Sequence, residues 1–425
     1  MVDGLPRACR AGAGATVIAT RPAKMNAPMP DARKRITAVV CAGFCAFLAL
    51  FAPQPLLPML SAAFHASAAS VSLVVTASTI AVAIAAPLAG MIADRLGPKR
   101  VMVPAAFLLA APTFLAATSS NLAQLLFWRF LQGVFTPGIF AVTVAYINDE
   151  WETGAGAAVA AYITGTVVGG FSGRMLAALV AAHNGWRASF VVLGVMNTLG
   201  ALAIWAWLPA GRRFKRSRGE GMLRPMVRHL KNPRLVATYA VGFCVMFTLL
   251  ATFTYVNFYL SAPPFHLGPR ALGMLFSVYL VGAVITPFAG RLIDRLGHRA
   301  ALVMAFSGGM LGIALTLVHS LAAVLVGLAL CCTGVFIANS SGSSYVGTAA
   351  RDAKAAAVGL YVTFYYTGGS FGSAVPGRFW ARGGWPACVG LVAAVQLLTI
   401  VMALVFWRSA PRRPAVTEPP IVAVE

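Results

Sequence analysis

Gly90-Met91-Ile92-Ala93-Asp94-Arg95-Leu96-Gly97-Pro98-Lys99-Arg100 is a short charged link between two apolar runs, residues 71–93 before it and 101–117 after it. Its outline returns about 200 residues later as Gly290-Arg291-Leu292-Ile293-Asp294-Arg295-Leu296-Gly297-His298-Arg299, so the chain is built from two related halves. Other positions recur at the same spacing. Gly43-Phe44-Cys45 returns as Gly242-Phe243-Cys244, and Pro87 returns as Pro287. Tyr162, Thr164, Gly169, Gly170 and Gly173 return as Tyr361, Thr363, Gly368, Gly369 and Gly372, and Trp186 returns as Trp385.

The apolar runs around these links set the fold class. The 425 residues are 59% hydrophobic and only 10% charged, against roughly 25% charged in soluble domains. Runs of about 20 apolar residues recur, each long enough to span a bilayer as a helix. The weak alternation of a membrane β-barrel is missing. The expectation is an all-α integral membrane protein with twelve transmembrane helices, at about 36–60, 71–93, 101–117, 122–147, 155–182, 188–209, 235–262, 272–293, 300–319, 321–346, 355–376 and 387–407. Its organisation is a basic N-terminal tail (1–35), a six-helix bundle (36–209), a basic linker (210–234), a second six-helix bundle (235–407) and a C-terminal tail (408–425). Residues 1–35 lack the apolar core of a secretory signal, and Met25 is an alternative start to Met1. Both tails read as disordered.

A net charge of +22 invites a nucleic-acid reading, but the charge sits in the connections between spans. With the N-terminus on one side, that side holds 27 of the 33 Lys and Arg and the other holds four, Arg187, Arg270, Arg378 and Arg382. Such a bias places both termini and both charged links in the cytoplasm. Six spans per half is an even number, so the halves are parallel repeats. Parallel repeats put a substrate site near the membrane midplane between them and expose it to each side in turn by rocking. The pair of halves completes one site, so a monomer is expected, in the cytoplasmic (inner) membrane of a bacterium.

These residues resemble the major facilitator superfamily. Gly90, Asp94, Arg95, Gly97, Lys99 and Arg100 fit its signature loop between spans 2 and 3, and Gly290, Asp294, Arg295, Gly297 and Arg299 fit the second-half echo. The similarity covers about 36–407. Gly169-Gly170-Phe171-Ser172-Gly173-Arg174 and Gln54-Pro55-Leu56-Leu57-Pro58 resemble the acriflavine-sensitivity (YnfM-type) efflux branch. The resemblance implies a secondary transporter that exports small organic compounds in exchange for protons, with Asp94 latching the halves in the outward-facing state.

Gly90 and Gly97 permit close approach and a tight turn, and Asp94 can accept from a neighbouring helix N-terminus or from Arg95 and Arg100. The basic residues of the loop alternatively only set topology. Arg129, beside Gln132 in span 4, matches the superfamily's span-4 arginine, associated there with proton coupling. An arginine at mid-span costs about 2.5–3.5 kcal/mol, so it faces a cavity or a partner, or else snorkels to the interface. Arg174, near the end of span 5, binds an anionic group, pairs with a helix C-terminus, or snorkels. The span-5 and span-11 glycines (Gly169, Gly170, Gly173; Gly368, Gly369, Gly372) form small-residue faces for helix crossing. The branch's glycine-rich span 5 marks antiport, but the proline that usually follows the glycines is missing here.

Tyr361, Phe364 and Tyr365 share one face of span 11. With Asn257 of span 7 and Gln54 of span 1 they are candidate substrate contacts, or else packing and interfacial aromatics. All eleven acids and six histidines fall at span ends or in links. The cavity is therefore neutral to positive, which suits neutral or anionic substrates, and leaves Asp94, Asp149 and Glu150 as candidate proton carriers. The seven cysteines form no CxxC pair, so neither a metal site nor a disulfide framework is expected. No cofactor is implied, and the lack of a GxxxxGK[ST] loop argues against direct ATP use. No constellation of an enzyme is present. The alternatives kept open are uptake or exchange of a small organic anion and, less favoured, a channel or membrane enzyme.

Overall fold

The computed structural model describes residues 30–151, 155–209, 223–350 and 352–407. The tail 408–425, the alternative start at Met25, Cys9, Glu152, Arg351 and most of the linker lie outside the described residues. In chain order the α-helices are α1 Pro30–Leu48, α2 Leu57–Ala63, α3 Ala68–Leu96, α4 Pro98–Ala116, α5 Leu122–Phe135, α6 Pro137–Glu150 and α7 Ala155–Trp207. They continue as α8 Leu223–Leu230, α9 Pro233–Ser261, α10 Pro269–Leu275, α11 Val278–Leu315, α12 Leu321–Ala349, α13 Lys354–Ala374 and α14 Pro376–Phe406. Eight helical segments among the described residues are long and apolar enough to cross a membrane.

Three assigned helices contain sharp turns. Gly185 (φ 77) divides the 53 residues of α7, Gly297 (φ 82) divides α11 and Gly384 (φ 57) divides α14. Gly97 (φ 92) joins α3 to α4. Gly97 and Gly297 hold the left-handed turn of the two charged links, a conformation that a side chain opposes and glycine does not. Pro98 then starts α4, where its missing N–H leaves no bond unmade.

Three features depart from the expected spans. The first span breaks after Leu48 and resumes through a 3-10 turn, Gln54–Leu56, into α2. Pro53 and Pro55 lack the N–H groups that would continue the ladder. The fourth span is two helices, α5 and α6, joined at Thr136-Pro137, where the Thr136 hydroxyl donates to the Gln132 carbonyl at 2.7 Å. The linker ends in a helix, α8, whose His229 Nε2 lies 3.3 Å from the Ala353 carbonyl and whose Arg228 pairs with Asp352 at 3.4 Å.

The repeat is visible in packing. α1 crosses α7 as α9 crosses α13. A Cβ added at Gly169 or Gly173 would collide with the carbonyls of Phe44 and Leu48. One added at Gly368 or Gly372 would collide with those of Phe243 and Phe247, the corresponding residues of the second half. Gly43 faces Tyr162 as Gly242 faces Tyr361. Without a hydrophobic drive between helices in lipid, such close backbone approach supplies the dispersion contacts that hold the pairs.

Candidate functional site

Arg129 and Gln132 of α5 build one polar node inside the first half. Both are buried, Arg129 completely. Arg129 Nε donates to the Val74 carbonyl at 3.2 Å, Nη1 to the Ala49 carbonyl at 2.9 Å and to Gln132 Oε1, and Nη2 to Ser78 Oγ at 2.9 Å and to the Leu50 carbonyl. A guanidinium has five N–H donors, and here each has an acceptor. The Ala49 carbonyl would ordinarily receive the N–H four residues on, but that residue is Pro53. Arg129 therefore caps the broken end of α1, where the helix dipole also favours a cation. Gln132 Nε2 donates onward to the Pro112 carbonyl of α4 at 3.2 Å. Interfacial snorkelling does not occur at this residue.

Arg174 of α7 builds a second node, at the contact between the halves. It is 3% exposed. Its Nε donates to Gln54 Oε1 at 2.8 Å and its Nη1 to the Gly170 carbonyl at 2.8 Å. The guanidinium carbon lies 5.0 Å from the ring centre of Phe51, 4.9 Å from that of Phe276 and 4.6 Å from that of Tyr279. Gln54 Nε2 reaches the Thr254 hydroxyl at 3.4 Å. Phe276, Tyr279 and Thr254 belong to the second half, so this arginine too is part of the protein interior.

A row of hydroxyls continues that contact. Ser72 Oγ lies 2.9 Å from the Tyr255 hydroxyl, Thr76 Oγ1 lies 2.8 Å from Ser373 Oγ, and Ser370 Oγ donates to Thr79 Oγ1 at 3.0 Å. These residues were not anticipated from sequence. Their signal was the spacing of Ser72, Thr76 and Thr79, which puts three hydroxyls on one face of an apolar helix. Thr76 Oγ1 also donates to the Ser370 carbonyl at 3.4 Å, and these bonds, with Gln54 to Thr254, lie toward the ends of α3, α9 and α13 that are remote from the charged links. Deeper along the helices the halves still touch through Phe140 and Tyr366, 5.7 Å between ring centres.

The charged links lie at the other end. Asp94, Arg95, Arg100, Asp294 and Arg295 are exposed, while Lys99 and Arg299 are partly covered. Among the described residues Asp94 accepts no hydrogen bond from Arg95, Arg100 or a helix N-terminus. A Cβ on Gly90 or Gly290 would meet nothing within 4 Å, so the close approach expected there is not made in this conformation. The reason is geometric: the halves meet at the far end. Asp149 lies within electrostatic reach of both Asp94 and Glu150, and Glu150 pairs with Arg35 at 3.4 Å.

The remaining candidates are dispersed. Tyr361 is wedged against Gly242 and Gly342 and donates to Asn339 Oδ1 at 3.1 Å. Phe364 stacks on Tyr239 at 5.6 Å, and Tyr365 stands edge-on to Tyr366 at the same distance. Asn257 Nδ2 donates to the Phe253 carbonyl at 2.7 Å, and its buried Oδ1 has no partner among the described residues. Of the packing glycines, Gly170 faces Arg174 rather than another helix's backbone, and Gly369 faces Met246 and Leu250. Of the predicted cavity residues, Arg129 joins Gln132 and Arg174 joins Gln54, while Tyr361 and Tyr365 stack on each other at 6.1 Å, apart from both nodes.

Comparison with known proteins is consistent with these features. The family model described as the Major Facilitator Superfamily matches residues 39–263 and 260–422. The chain is 32% identical to the inner membrane transport protein YnfM of Escherichia coli (strain K12), over 87% of this chain and 89% of that one. It is 30% identical to the uncharacterized MFS-type transporter YybF of Bacillus subtilis (strain 168), over 87% of this chain and 93% of that one. Its fold is similar to the crystal structure of the nucleoside transporter NupG, with a TM-score of 0.72 at 17% identity over 88% of this chain and all of that one. The chain belongs to the major facilitator superfamily and is a membrane-embedded, multi-pass transporter of that family.

Proposed function

We propose that the protein is a secondary active transporter of the bacterial inner membrane that exports small organic compounds in exchange for protons by alternating access. The observation that carries this reading is one-sided closure. Hydrogen bonds join the halves at one end, through Ser72, Thr76, Thr79, Gln54 and their partners, while Asp94 and Asp294 stand exposed at the other. Twelve crossings follow when the turns at Gly185, Gly297 and Gly384 are counted as reversals, with residues 36–209 and 235–407 as two parallel bundles joined by 210–234. The excess of Lys and Arg on the side of the charged links then puts both termini in the cytoplasm, and the closed end faces outward.

In this cycle Asp94, with Gly90, Gly97 and the basic residues beside it, is the latch of the outward-facing state, and the links at Gly290–Arg299 are its counterpart. Asp94 and Glu150 lie within electrostatic reach of Asp149, and in this reading the three carboxylates are the cytoplasmic groups available to carry a proton. Arg129 supports the cycle by holding α1, α3 and α5 together, and the monomer suffices because both halves of the site are in one chain.

Everted vesicles energised by respiration test the reading. Neutral and anionic compounds added to wild-type vesicles should collapse the proton gradient, read with a pH-sensitive dye, and Asp94→Asn should slow that collapse severely. Traces identical to vesicles lacking the protein, across the panel, would end the proton-antiport reading. A second reading, exchange of a small organic anion, is favoured by the unneutralised charge of Arg174. Labelled-anion counterflow without a gradient separates the two.

A further inference from the structure

We propose that Arg174 and Tyr279 form the seat for the carboxylate of a substrate with an apolar or aromatic body, at the contact between the two halves. This rests on the transporter reading and names the substrate class that reading leaves open.

The argument starts from donors. Arg129 and Arg174 are both buried, but only Arg129 has an acceptor for every N–H. Arg174 uses Nε and one N–H of Nη1, and among the described residues its remaining N–H groups have no acceptor. Neither of its two partners is charged: one is the Gln54 amide and the other a carbonyl of its own helix. No carboxylate pairs with it among the described residues, so a full positive charge sits in the protein interior without a counter-ion. Desolvating such a charge is costly. The faces of Phe51, Phe276 and Tyr279 offset part of that cost through cation–π attraction.

A second, independent observation points at the same spot. The Tyr279 hydroxyl is buried and, among the described residues, has no hydrogen-bond partner. It lies within electrostatic reach of Arg174, Cys332 and Tyr365. A hydroxyl donor without an acceptor, on a ring whose centre lies 4.6 Å from a guanidinium carbon with donors to spare, is a partial acceptor-binding set. A carboxylate satisfies it, taking two parallel N–H bonds from the guanidinium fork and one O–H bond from the tyrosine. One cation matches one negative charge, so a monoanion fits and a dianionic phosphate would remain half-neutralised. The rings around the guanidinium supply apolar walls for the rest of the molecule. Gln54 is held by Thr254 with its Oε1 toward Arg174, which fixes the direction of the fork.

The seat also spans the moving boundary. Arg174, Gln54 and Phe51 belong to the first half, and Phe276 and Tyr279 to the second. A carboxylate held by the edge of the Arg174 fork and by Tyr279 therefore contacts both halves at once, while the rings keep the faces of the guanidinium. Substrate binding and closure of the outer end then act on the same atoms.

The test is equilibrium binding to the purified full chain in lipid nanodiscs, read by scintillation proximity with labelled benzoate and competed with benzamide and benzylammonium. Benzoate should bind roughly 10- to 100-fold more tightly than benzamide, its uncharged isostere, because only the carboxylate forms charge-assisted bonds. Arg174→Gln should reduce benzoate to the benzamide level. Tyr279→Phe, which keeps the ring and the packing, should weaken benzoate about tenfold and leave benzamide unchanged. Monodisperse elution of each variant guards against misfolding. Equal binding of benzamide and benzoate, wild-type benzoate affinity in Arg174→Gln, or no benzoate binding by the wild-type chain would each overturn the proposal. Because this readout needs no gradient, those failures are separable from failure of proton-coupled export, which the vesicle assay reports with neutral compounds.

Discussion

Two buried arginines, 45 positions apart in the chain, solve the problem of charge in a membrane in opposite ways. Arg129 spends all its donors on the protein: three backbone carbonyls, a serine and a glutamine. Arg174 spends two, and leaves the rest of its charge against aromatic faces that come from both halves of the molecule. In this conformation a saturated arginine serves the protein's own structure, since any ligand would have to displace a bond already made. An unsaturated one retains chemistry to offer. Burial alone, equal in the two residues to within a few per cent, does not distinguish them; the donor inventory does.

The comparison is open to attack at several points. The largest expected effect on stability is Arg129→Met. It strands the Ala49 and Leu50 carbonyls at the broken end of α1 and should cost about 3–5 kcal/mol, read as a fall in the thermal unfolding midpoint in detergent or as loss of folded yield. Arg129→Lys keeps the charge but not the fork and should recover only part of the loss. An Arg129→Met protein as stable as wild type would remove the distinction between the two nodes.

Next is Gly173→Ala, one residue before Arg174. Its new methyl would meet the Leu48 carbonyl, and overpacking of this kind costs about 1–3 kcal/mol. Gly90→Ala is the control. A Cβ there has no neighbour within 4 Å, and at this half-buried helical position a Gly→Ala change should be neutral or stabilising by up to about 1 kcal/mol. Thermal unfolding of the pair measures the difference.

Smaller still is the effect of removing one hydroxyl contact between the halves. Ser373→Ala breaks the 2.8 Å bond to Thr76, worth about 0.5–1.5 kcal/mol. It should therefore shift the balance between closed and open states of this end by roughly 2- to 12-fold. Thiol-reagent accessibility of a cysteine placed at Ala69, which abuts Gly377 across the contact, would report that shift. The smallest stability change belongs to Arg174→Met. Exchanging an unneutralised buried charge for an apolar chain should alter stability by less than about 1 kcal/mol in either direction, although the same residue is central to anion binding. If it falls as far as Arg129→Met does, Arg174 is a structural residue.

Much of the architecture was legible before the structure. The recurrence of Gly90–Arg100 at Gly290–Arg299 marked the repeat, and the paired glycines 169/368 and 173/372 marked the helix crossings that the backbone contacts make. Legibility was good there because the repeat records the same physical constraint twice. It was poor where the halves differ. Nothing in the first half alone said whether Pro53 would end the helix or be absorbed by it, and the residue that settles the matter, Arg129, is remote in sequence. Its role followed only from seeing which carbonyls lacked an N–H. The hydroxyl contacts were missed for a related reason: Ser and Thr inside apolar helices commonly bond back to their own helix, as Thr79 does to Val75, so their partners on another helix are invisible in one dimension. The aromatic group at Tyr361, Phe364 and Tyr365 shared a face as expected, yet Tyr361 is taken up by helix packing and Phe364 by Tyr239.

The cap on α1 also bears on how the chain is made. Arg129 lies 80 residues beyond the Ala49 carbonyl it satisfies, so during synthesis the first span reaches the membrane well before its cap exists. In the second half the equivalent helix, α9, runs unbroken for 29 residues and α12 carries no charged side chain. The two halves therefore mature differently: the second can complete each helix as it enters the lipid, whereas the first must hold an unfinished end until its fourth segment arrives. Ribosome-bound chains halted before and after residue 129 provide the check. The end of the first span should be open to a water-borne thiol label at residue 49 in the shorter chain and closed in the longer one; equal labelling would mean that the break is sealed without the arginine.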